Sequence, residues 1–247
     1  MKAIVLAGLL LAACGREREA APPEIPVGNG KMQLLAPGVF AEPGLSEADH
    51  RTLLQAHATA AAKVKEYFGE PHKGLPLALF CHSAMCKVTF GAPPAAAASP
   101  DLGFARDGFV NPKGFVTTPV VVATGPVPNT ALILTHELVH AEMKAWVPYD
   151  ALPTWFMEGI ATFIADEPNC SAAPAVSVFD VRQLDTKEKW QAHLRTGRVT
   201  LSTYCHARNE AARWAGKFGD KTSAGSAIRA VCQAVARGES FDQLTSQ

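Results

Sequence analysis

The 247-residue chain has no excess of charge of either sign and no cluster of basic residues. Its 23 lysines and arginines balance 23 aspartates and glutamates, and no basic stripe that would follow a phosphate backbone is present. We therefore expect no nucleic-acid partner. The chain also lacks an internal repeat of fixed period, which excludes a solenoid. Hydrophobic residues make up 48% of it, enough for the core of a single domain or of a small domain with two lobes.

The chain also lacks a hydrophobic run long enough to cross a membrane. The apolar run over residues 3–11 is too short for a spanning helix. The stretch over residues 120–134 is longer, but Gly125 and neighbouring prolines interrupt it. A lipid-exposed helix cannot leave that many backbone groups unsatisfied, so this stretch is not a span.

The N-terminus has the pattern of an export signal. MKAIVLAGLLLAAC combines Lys2, a short apolar run and small residues before Cys14, which predicts a secretory signal peptide over residues 1–13. Residues 11–14, LAAC, resemble a bacterial lipobox, and this resemblance implies lipidation of Cys14 and a membrane contact through the lipid anchor. An ordinary cleaved signal peptide is the alternative.

The lipobox resemblance also bears on location and domain boundaries. Gly15 follows the cysteine, where an aspartate often retains lipoproteins at the inner membrane, and this favours the outer membrane, facing the periplasm. Residues 15–40 carry charges, prolines and glycines without a sustained period. We assign residues 14–40 to the lipid anchor and tether and residues 41–247 to the domain.

The cysteines lack the C-x-x-C spacing of zinc knuckles and redox motifs, so we assign them structural roles. An exported chain can form disulfides. Cys81 and Cys86 lie between two strand-like runs, LPLALFC and CKVTFG, which predicts a β-hairpin closed by a disulfide. Two buried thiols are the alternative. At most one further pair can form, and the sequence does not choose it, among Cys170, Cys205 and Cys232.

The periodicity of the chain predicts an α+β fold. Ser46 and Asp49 form a capping signature before a stretch with apolar residues at helical spacing, and Gly69 is a natural helix end. A strand is expected at residues 119–124, followed by a helix capped near Asn129 or Thr130. A further helix should start near Thr154. A small mixed sheet is expected to cover one side of a cleft, and helices are expected to form the other side.

The motif HELVH lies on the helix that follows residue 129. His136 and His140 are four residues apart, so they share one helix face and can bind one ion. Glu137 is rotated by about 100° from His136, which suits a base beside the metal rather than a third ligand. Glu142 follows His140 by two residues and points elsewhere, so we predict that it is a solvated charge.

A third ligand must come from another segment. Met143 and Trp146 occupy the places where metzincins continue with glycine and histidine, so that pattern is excluded. Glu158 lies one turn into the predicted next helix, and an antiparallel return would bring it beside the histidines. Two histidines and one glutamate leave a position for water, as in catalytic rather than structural zinc sites.

HELVH followed by LPTWFMEGIATF resembles the gluzincin zinc metallopeptidases of the peptidase MA superfamily. The resemblance implies a zincin-like domain with an HExxH helix, a glutamate helix and a helical C-terminal part. It also implies one Zn²⁺ held by His136, His140 and Glu158, and Glu137 as the general base for hydrolysis of a peptide or protein substrate. Thr162 departs from the family pattern, since thermolysin-like members carry aspartate there.

The resemblance further implies an oxyanion donor from the tail of the chain and a strand that aligns the substrate. The donor candidates are Tyr204, His206 and His193, with Tyr204 fitting the family tail best. The strand would be an edge strand at residues 120–123 that pairs with an extended peptide. Two other functions remain open: a non-catalytic binding or assembly lipoprotein on the same scaffold, and a zinc hydrolase of a non-peptide envelope amide.

Overall fold

The computed structural model describes residues 24–28, 30–71, 76–91, 103–106, 109–111, 114–116, 120–170, 179–196 and 200–246. These residues form a mixed α+β fold, as predicted. The predicted signal peptide and Cys14 lie outside the described residues, so export and lipidation stay predictions. Within the described helices, none is long and apolar enough to cross a membrane.

The sheet at the centre of the fold has five strands in the order β3-β4-β5-β9-β6. Strands β4, β5 and β9 are parallel to one another, while β3 and β6 run antiparallel to their neighbours at the two edges. The strands are β3 Gln33–Ala36, β4 Val39–Ala41, β5 Leu77–Cys81, β6 Gly103–Arg106 and β9 Val120–Thr124. Two small antiparallel pairs accompany the sheet: β1 Pro26–Val27 with β2 Gly30–Lys31, and β7 Phe109–Asn111 with β8 Gly114–Val116.

Both faces of the sheet are covered, because successive side chains of a strand point to opposite sides. Ala78 and Phe80 of β5 face the main core beneath the helices, whereas Leu79 and Cys81 face a smaller second core. The second core is closed by the N-terminal segment, including Ile25. Residues 24–28 and 30–41 are therefore part of the packed fold, and the domain boundary placed at residue 41 falls at the end of β4.

The described helices pack mainly on the face of the sheet that carries Ala78 and Phe80. They are α1 Glu47–Phe68, α2 Ala84–Thr89, α3 Thr130–Lys144, α4 Thr154–Ala165, α5 Lys187–Arg195, α6 Thr200–Ala215, α7 Lys221–Ala236 and α8 Phe241–Thr245. Helix α1 begins as the sequence predicts: the Ser46 hydroxyl accepts from the Asp49 N–H, and the Asp49 carboxylate accepts from the Ser46 N–H. Gly69 ends the helix with a φ of 67°, a conformation that favours glycine.

The predicted hairpin at Cys81 and Cys86 is wrong, although the disulfide between them is present with a Cα–Cα distance of 5.5 Å. The second half of the stretch is helix α2 instead of a strand. Ser83 starts this helix by accepting from the Cys86 N–H at 3.1 Å. The Glu42 carboxylate accepts from the N–H groups of His82 and Ser83. These local acceptors outweigh the β propensity of the run CKVTFG.

A second disulfide joins Cys170 and Cys205, and Cys232 is a free, buried thiol. The prediction that at most one further disulfide can form, which leaves one cysteine unpaired, is thus confirmed. Burial raises the pKa of the Cys232 thiol to about 12.

The predicted edge strand is wrong, because β9 lies between β5 and β6 and already pairs on both sides. The sheet edge on that side is β6.

Candidate metal centre

Helix α3 carries the HELVH motif, and it follows the interior strand β9 after a short connection. Asn129 is its N-cap residue. The Thr130 hydroxyl accepts from the Val127 N–H at 2.8 Å and lies 3.2 Å from the Thr124 carbonyl oxygen at the end of β9. This connection fixes the first turn of α3 to the sheet. His136 and His140 follow on one face, as the four-residue spacing predicts.

Helix α4 carries Glu158, and its first turn is held by a distant segment. Its first N–H groups have no partner within their own helix. The Thr154 N–H donates to the Asp185 carbonyl at 2.8 Å, and the Trp155 N–H donates to the Leu184 carbonyl at 3.2 Å. Almost every residue of α4 is buried, so this helix runs through the core and its side chains have little freedom to move.

The structure brings His136, His140 and Glu158 together. The Nε2 atoms of the two imidazoles are 3.0 Å apart, and their rings meet edge to face with centroids 4.7 Å apart. The Glu158 Oε2 atom lies 3.1 Å from His136 Nε2 and 3.5 Å from His140 Nε2. These three atoms form a compact group that could hold a metal ion.

The donor set fits a divalent cation. Ligand atoms on a tetrahedral zinc, at the usual bond lengths, lie about 3.3 Å from one another. The three observed separations of 3.0, 3.1 and 3.5 Å lie close to that value. The only other such group in the described residues is Glu42 with Cys81 and Cys86. Its two cysteines are joined in a disulfide, so they cannot serve as thiolate ligands.

The Glu158 carboxylate and the His136 imidazole stabilise each other's charged forms. Burial acts to raise the pKa of the Glu158 carboxyl, but His140 and His136 outweigh it and hold the pKa well below its ordinary value. Burial acts to lower the pKa of His136, but the hydrogen bond to Glu158 prevails and raises it. The group thus presents an ionised carboxylate to two imidazoles. The three side chains are largely buried. The exposed fraction of the side chain is 16% for His136, 5% for His140 and 12% for Glu158.

Glu137 lies beside this group and is itself buried, with 8% of its surface exposed. Burial raises the pKa of its carboxyl, while His136 and His140 act against that rise. Since burial penalises the charged form, the side chain is poised to take up a proton. Glu137 follows His136 directly on the motif helix, and its assignment as the general base stays a prediction.

Of the three predicted oxyanion donors, within the described residues, Tyr204 is the one whose ring contacts a histidine of the cluster. The Tyr204 and His136 ring centroids are 6.1 Å apart. Burial raises the pKa of the Tyr204 phenol above its ordinary value, so its hydroxyl stays protonated. His206 lies two residues further along α6, and its ring packs edge-on against Phe179 at 5.6 Å. The His193 ring packs against the same phenylalanine at 4.6 Å.

Glu142 is not the solvated charge that the sequence predicts. Its residue surface is 5% exposed. The Trp146 Nε1 atom donates to its Oε1 atom at 3.0 Å, and the Arg229 Nη2 atom lies 3.6 Å from the same oxygen. The rotation away from the histidines was predicted correctly, but helix α7 covers that side of α3. Helical spacing shows where a side chain points, not which distant helix lies there.

Two further features of the site follow from the structure. Thr162, at the position where thermolysin-like enzymes carry aspartate, donates its hydroxyl to the Glu158 carbonyl of its own helix at 2.7 Å. Trp190 of α5 packs edge-on against the Tyr204 ring with centroids 5.2 Å apart. Sequence reasoning missed Trp190, because no spacing relates it to the motif. A lone aromatic side chain in a helix of mostly polar residues was the available signal.

We compared the chain with protein families, with curated protein sequences and with solved structures, and no significant match was found in any of the three comparisons. The geometry of the site and its motif are therefore the basis for assigning a function to the protein.

Proposed function

We propose that this protein is a zinc-dependent hydrolase of peptide bonds, similar to the gluzincin metallopeptidases. The observation that carries the proposal is the convergence of His136, His140 and Glu158 to within 3.5 Å of one another beside the buried Glu137. Two imidazoles and one carboxylate are the ligand set of catalytic zinc sites, which keep a position for water. A structural zinc site would instead offer four protein ligands.

In the proposed reaction, each residue of the site has a separate role. His136, His140 and Glu158 would hold the ion, which when bound supplies Lewis acidity and makes water acidic enough to ionise near neutral pH. Glu137 accepts the proton of the attacking water and later passes it to the leaving amine. Tyr204 donates its hydroxyl proton in a hydrogen bond to the oxygen on which negative charge develops.

We also propose that the reaction takes place in the bacterial cell envelope, with the protein anchored by lipid on Cys14. The signal-like segment over residues 1–13 supports export. The pairs Cys81–Cys86 and Cys170–Cys205 lie at disulfide distance, and disulfides persist mainly in oxidising compartments such as the periplasm. The substrates would then be peptides or proteins of that compartment.

The variant Glu137→Gln tests the proposal. The purified protein should contain about one zinc per chain and cleave members of a mixed peptide library, and a chelator should abolish cleavage. Glu137→Gln should keep the zinc, because the three ligands are untouched, and lose at least a hundredfold in turnover, the usual contribution of a general base. Glu188→Gln, a change at an exposed residue, is the matched control.

The outcomes separate the three candidate functions. Cleavage that is equal in Glu137→Gln and the unaltered protein would overturn the assignment of the base. Zinc binding without cleavage of any library peptide would favour either the binding lipoprotein or the hydrolase of a non-peptide amide. In that case, an envelope complementation assay that is indifferent to Glu137→Gln would select the binding function.

A further inference from the structure

Trp190 is a large buried side chain that packs against Tyr204, and it carries an unsatisfied polar group. The residue is 1% exposed, and its indole Nε1 atom is buried without a hydrogen-bond partner in the part of the chain that the structure describes. Leaving a buried donor unpaired costs about 1–3 kcal/mol, and buried tryptophans usually place this N–H on an acceptor. The position of Trp190 therefore calls for an acceptor nearby.

The Tyr204 phenol is the neighbour that can provide one. The two rings meet at 83° with centroids 5.2 Å apart, and the Tyr204 ring in turn lies against His136. The indole N–H is without a partner among the described residues, and the phenol of the adjoining ring carries an oxygen that can accept a hydrogen bond.

The chemistry of the two groups decides the direction of this contact. An indole N–H can only donate, whereas a phenol oxygen can accept and also donate its own proton. When Trp190 donates to the Tyr204 oxygen, the phenol proton must point to another acceptor. The His136 side of the ring is where the substrate oxygen would lie in the proposed reaction.

We propose that Trp190 is a positioning residue, whose indole N–H donates to the Tyr204 hydroxyl and turns the phenol proton toward the metal centre. This inference rests on the proposed function for its catalytic meaning, but the contact itself does not depend on it. Backbone hydrogen bonds from Thr154 to Asp185 and from Trp155 to Leu184 tie the segment before α5 to the helix of Glu158. Trp190 is therefore fixed relative to the same helix that supplies the third ligand.

Nuclear magnetic resonance of the indole N–H groups tests the contact without any activity. The chain has four tryptophans and three tyrosines, so a ¹⁵N–¹H spectrum shows few indole signals, and the loss of one in Trp190→Phe assigns Trp190. In Tyr204→Phe the aromatic ring and its ring current remain, and only the acceptor is removed. The Trp190 proton should then move upfield, while Tyr67→Phe, a change at a buried tyrosine of α1, should leave it unmoved.

Kinetics test the catalytic meaning. Trp190→Phe should lower kcat by about tenfold, the equivalent of one hydrogen bond, with KM unchanged. The double variant Trp190→Phe/Tyr204→Phe should be no slower than Tyr204→Phe alone, because both changes remove one function. Trp214→Phe, which alters another largely buried tryptophan, should leave kcat unchanged.

The spectroscopic test and the kinetic test have independent outcomes. A Trp190 indole signal that does not move in Tyr204→Phe overturns the contact, whether or not the protein cleaves peptides. Additive losses in the double variant overturn the positioning role, even with a moved signal. If no substrate is cleaved while the signal moves as expected, the proposed function fails and the Trp190–Tyr204 contact stands.

Discussion

Gly159 lies directly against the carbonyl group of Ala207. A Cβ atom placed on Gly159 would be 2.5 Å from the Ala207 oxygen and 3.1 Å from the Cβ atom of Ala211. Helices α4 and α6 thus approach backbone to backbone at the residue that follows the proposed ligand Glu158. Because α6 also carries Tyr204, this glycine sets the distance between the third ligand and the proposed oxyanion donor.

Gly159→Ala should therefore destabilise the protein. The added methyl group meets backbone, which cannot rotate away, and overpacking of this kind costs about 1–3 kcal/mol. Urea unfolding measures the loss. Gly216→Ala is the matched control, because nothing lies within 4 Å of its added Cβ, and there the change should be neutral or stabilising by up to about 1 kcal/mol. Equal stability of Gly159→Ala and the unaltered protein would show that α4 and α6 are not in close contact.

The site could be predicted from the sequence to the extent that its geometry is local. The spacing of His136 and His140 fixes their common face within one helix, and the next helix offered Glu158 at a position one turn in. The role of Gly159 could not be read from the sequence, because it depends on Ala207, 48 residues away in the chain. The same limit explains the wrong edge strand, since pairing of β6 with β9 is set by segments that are distant in the chain.

Glu142 offers a prediction about stability, since it links three helices. It accepts from Trp146 and faces Arg229, whose Nη2 atom also donates to the Phe68 carbonyl at the end of α1 at 2.6 Å. The guanidinium lies 5.0 Å from the centre of the Trp146 ring. Removing the carboxylate leaves these donors without their shared acceptor.

Glu142→Ala should lower the free energy of unfolding by about 2–3 kcal/mol. Breaking a fully buried pair costs about 3–5 kcal/mol, and the 29% exposure of the Arg229 side chain reduces that cost through solvent screening. Glu66→Ala removes the half-exposed partner of Lys221 and should cost less than about 1 kcal/mol. Zinc content should be the same in both variants. A loss for Glu142→Ala no larger than that for Glu66→Ala would contradict a structural role of the buried carboxylate.

Removal of the metal should lower the melting temperature. An ion that binds only the folded state stabilises it by about 4 kcal/mol at a free concentration a thousandfold above its Kd. Dialysis against a chelator should reverse this gain, and added zinc should restore it. Glu158→Ala removes a ligand and should melt at the same temperature with or without zinc, whereas Glu137→Gln should respond to zinc like the unaltered protein. A melting temperature that the chelator leaves unchanged would argue against a metal centre.

The two disulfides should differ in what they contribute, because they close loops of different length. Cys170 and Cys205 are 35 residues apart, whereas Cys81 and Cys86 are 5 apart. The chain-entropy relation assigns roughly 4 kcal/mol to the longer loop and roughly 2 kcal/mol to the shorter one. Urea unfolding of the two double cysteine-to-alanine variants measures both values, and Cys232→Ala reports the cost of losing a buried sulfur without a cross-link.

The longer disulfide should also affect turnover, since Cys205 is the neighbour of Tyr204 and Cys170 follows the helix of Glu158 by one short turn. Loss of this cross-link frees α6 from the segment behind the third ligand, so the phenol loses a constraint that the Cys81–Cys86 loop cannot supply. We expect kcat to fall several-fold in Cys170→Ala/Cys205→Ala at a temperature where both double variants remain folded, and to stay unchanged in Cys81→Ala/Cys86→Ala. Equal turnover in the two would mean that α4 and α6 hold Tyr204 in place through packing alone, with Gly159 as the decisive contact.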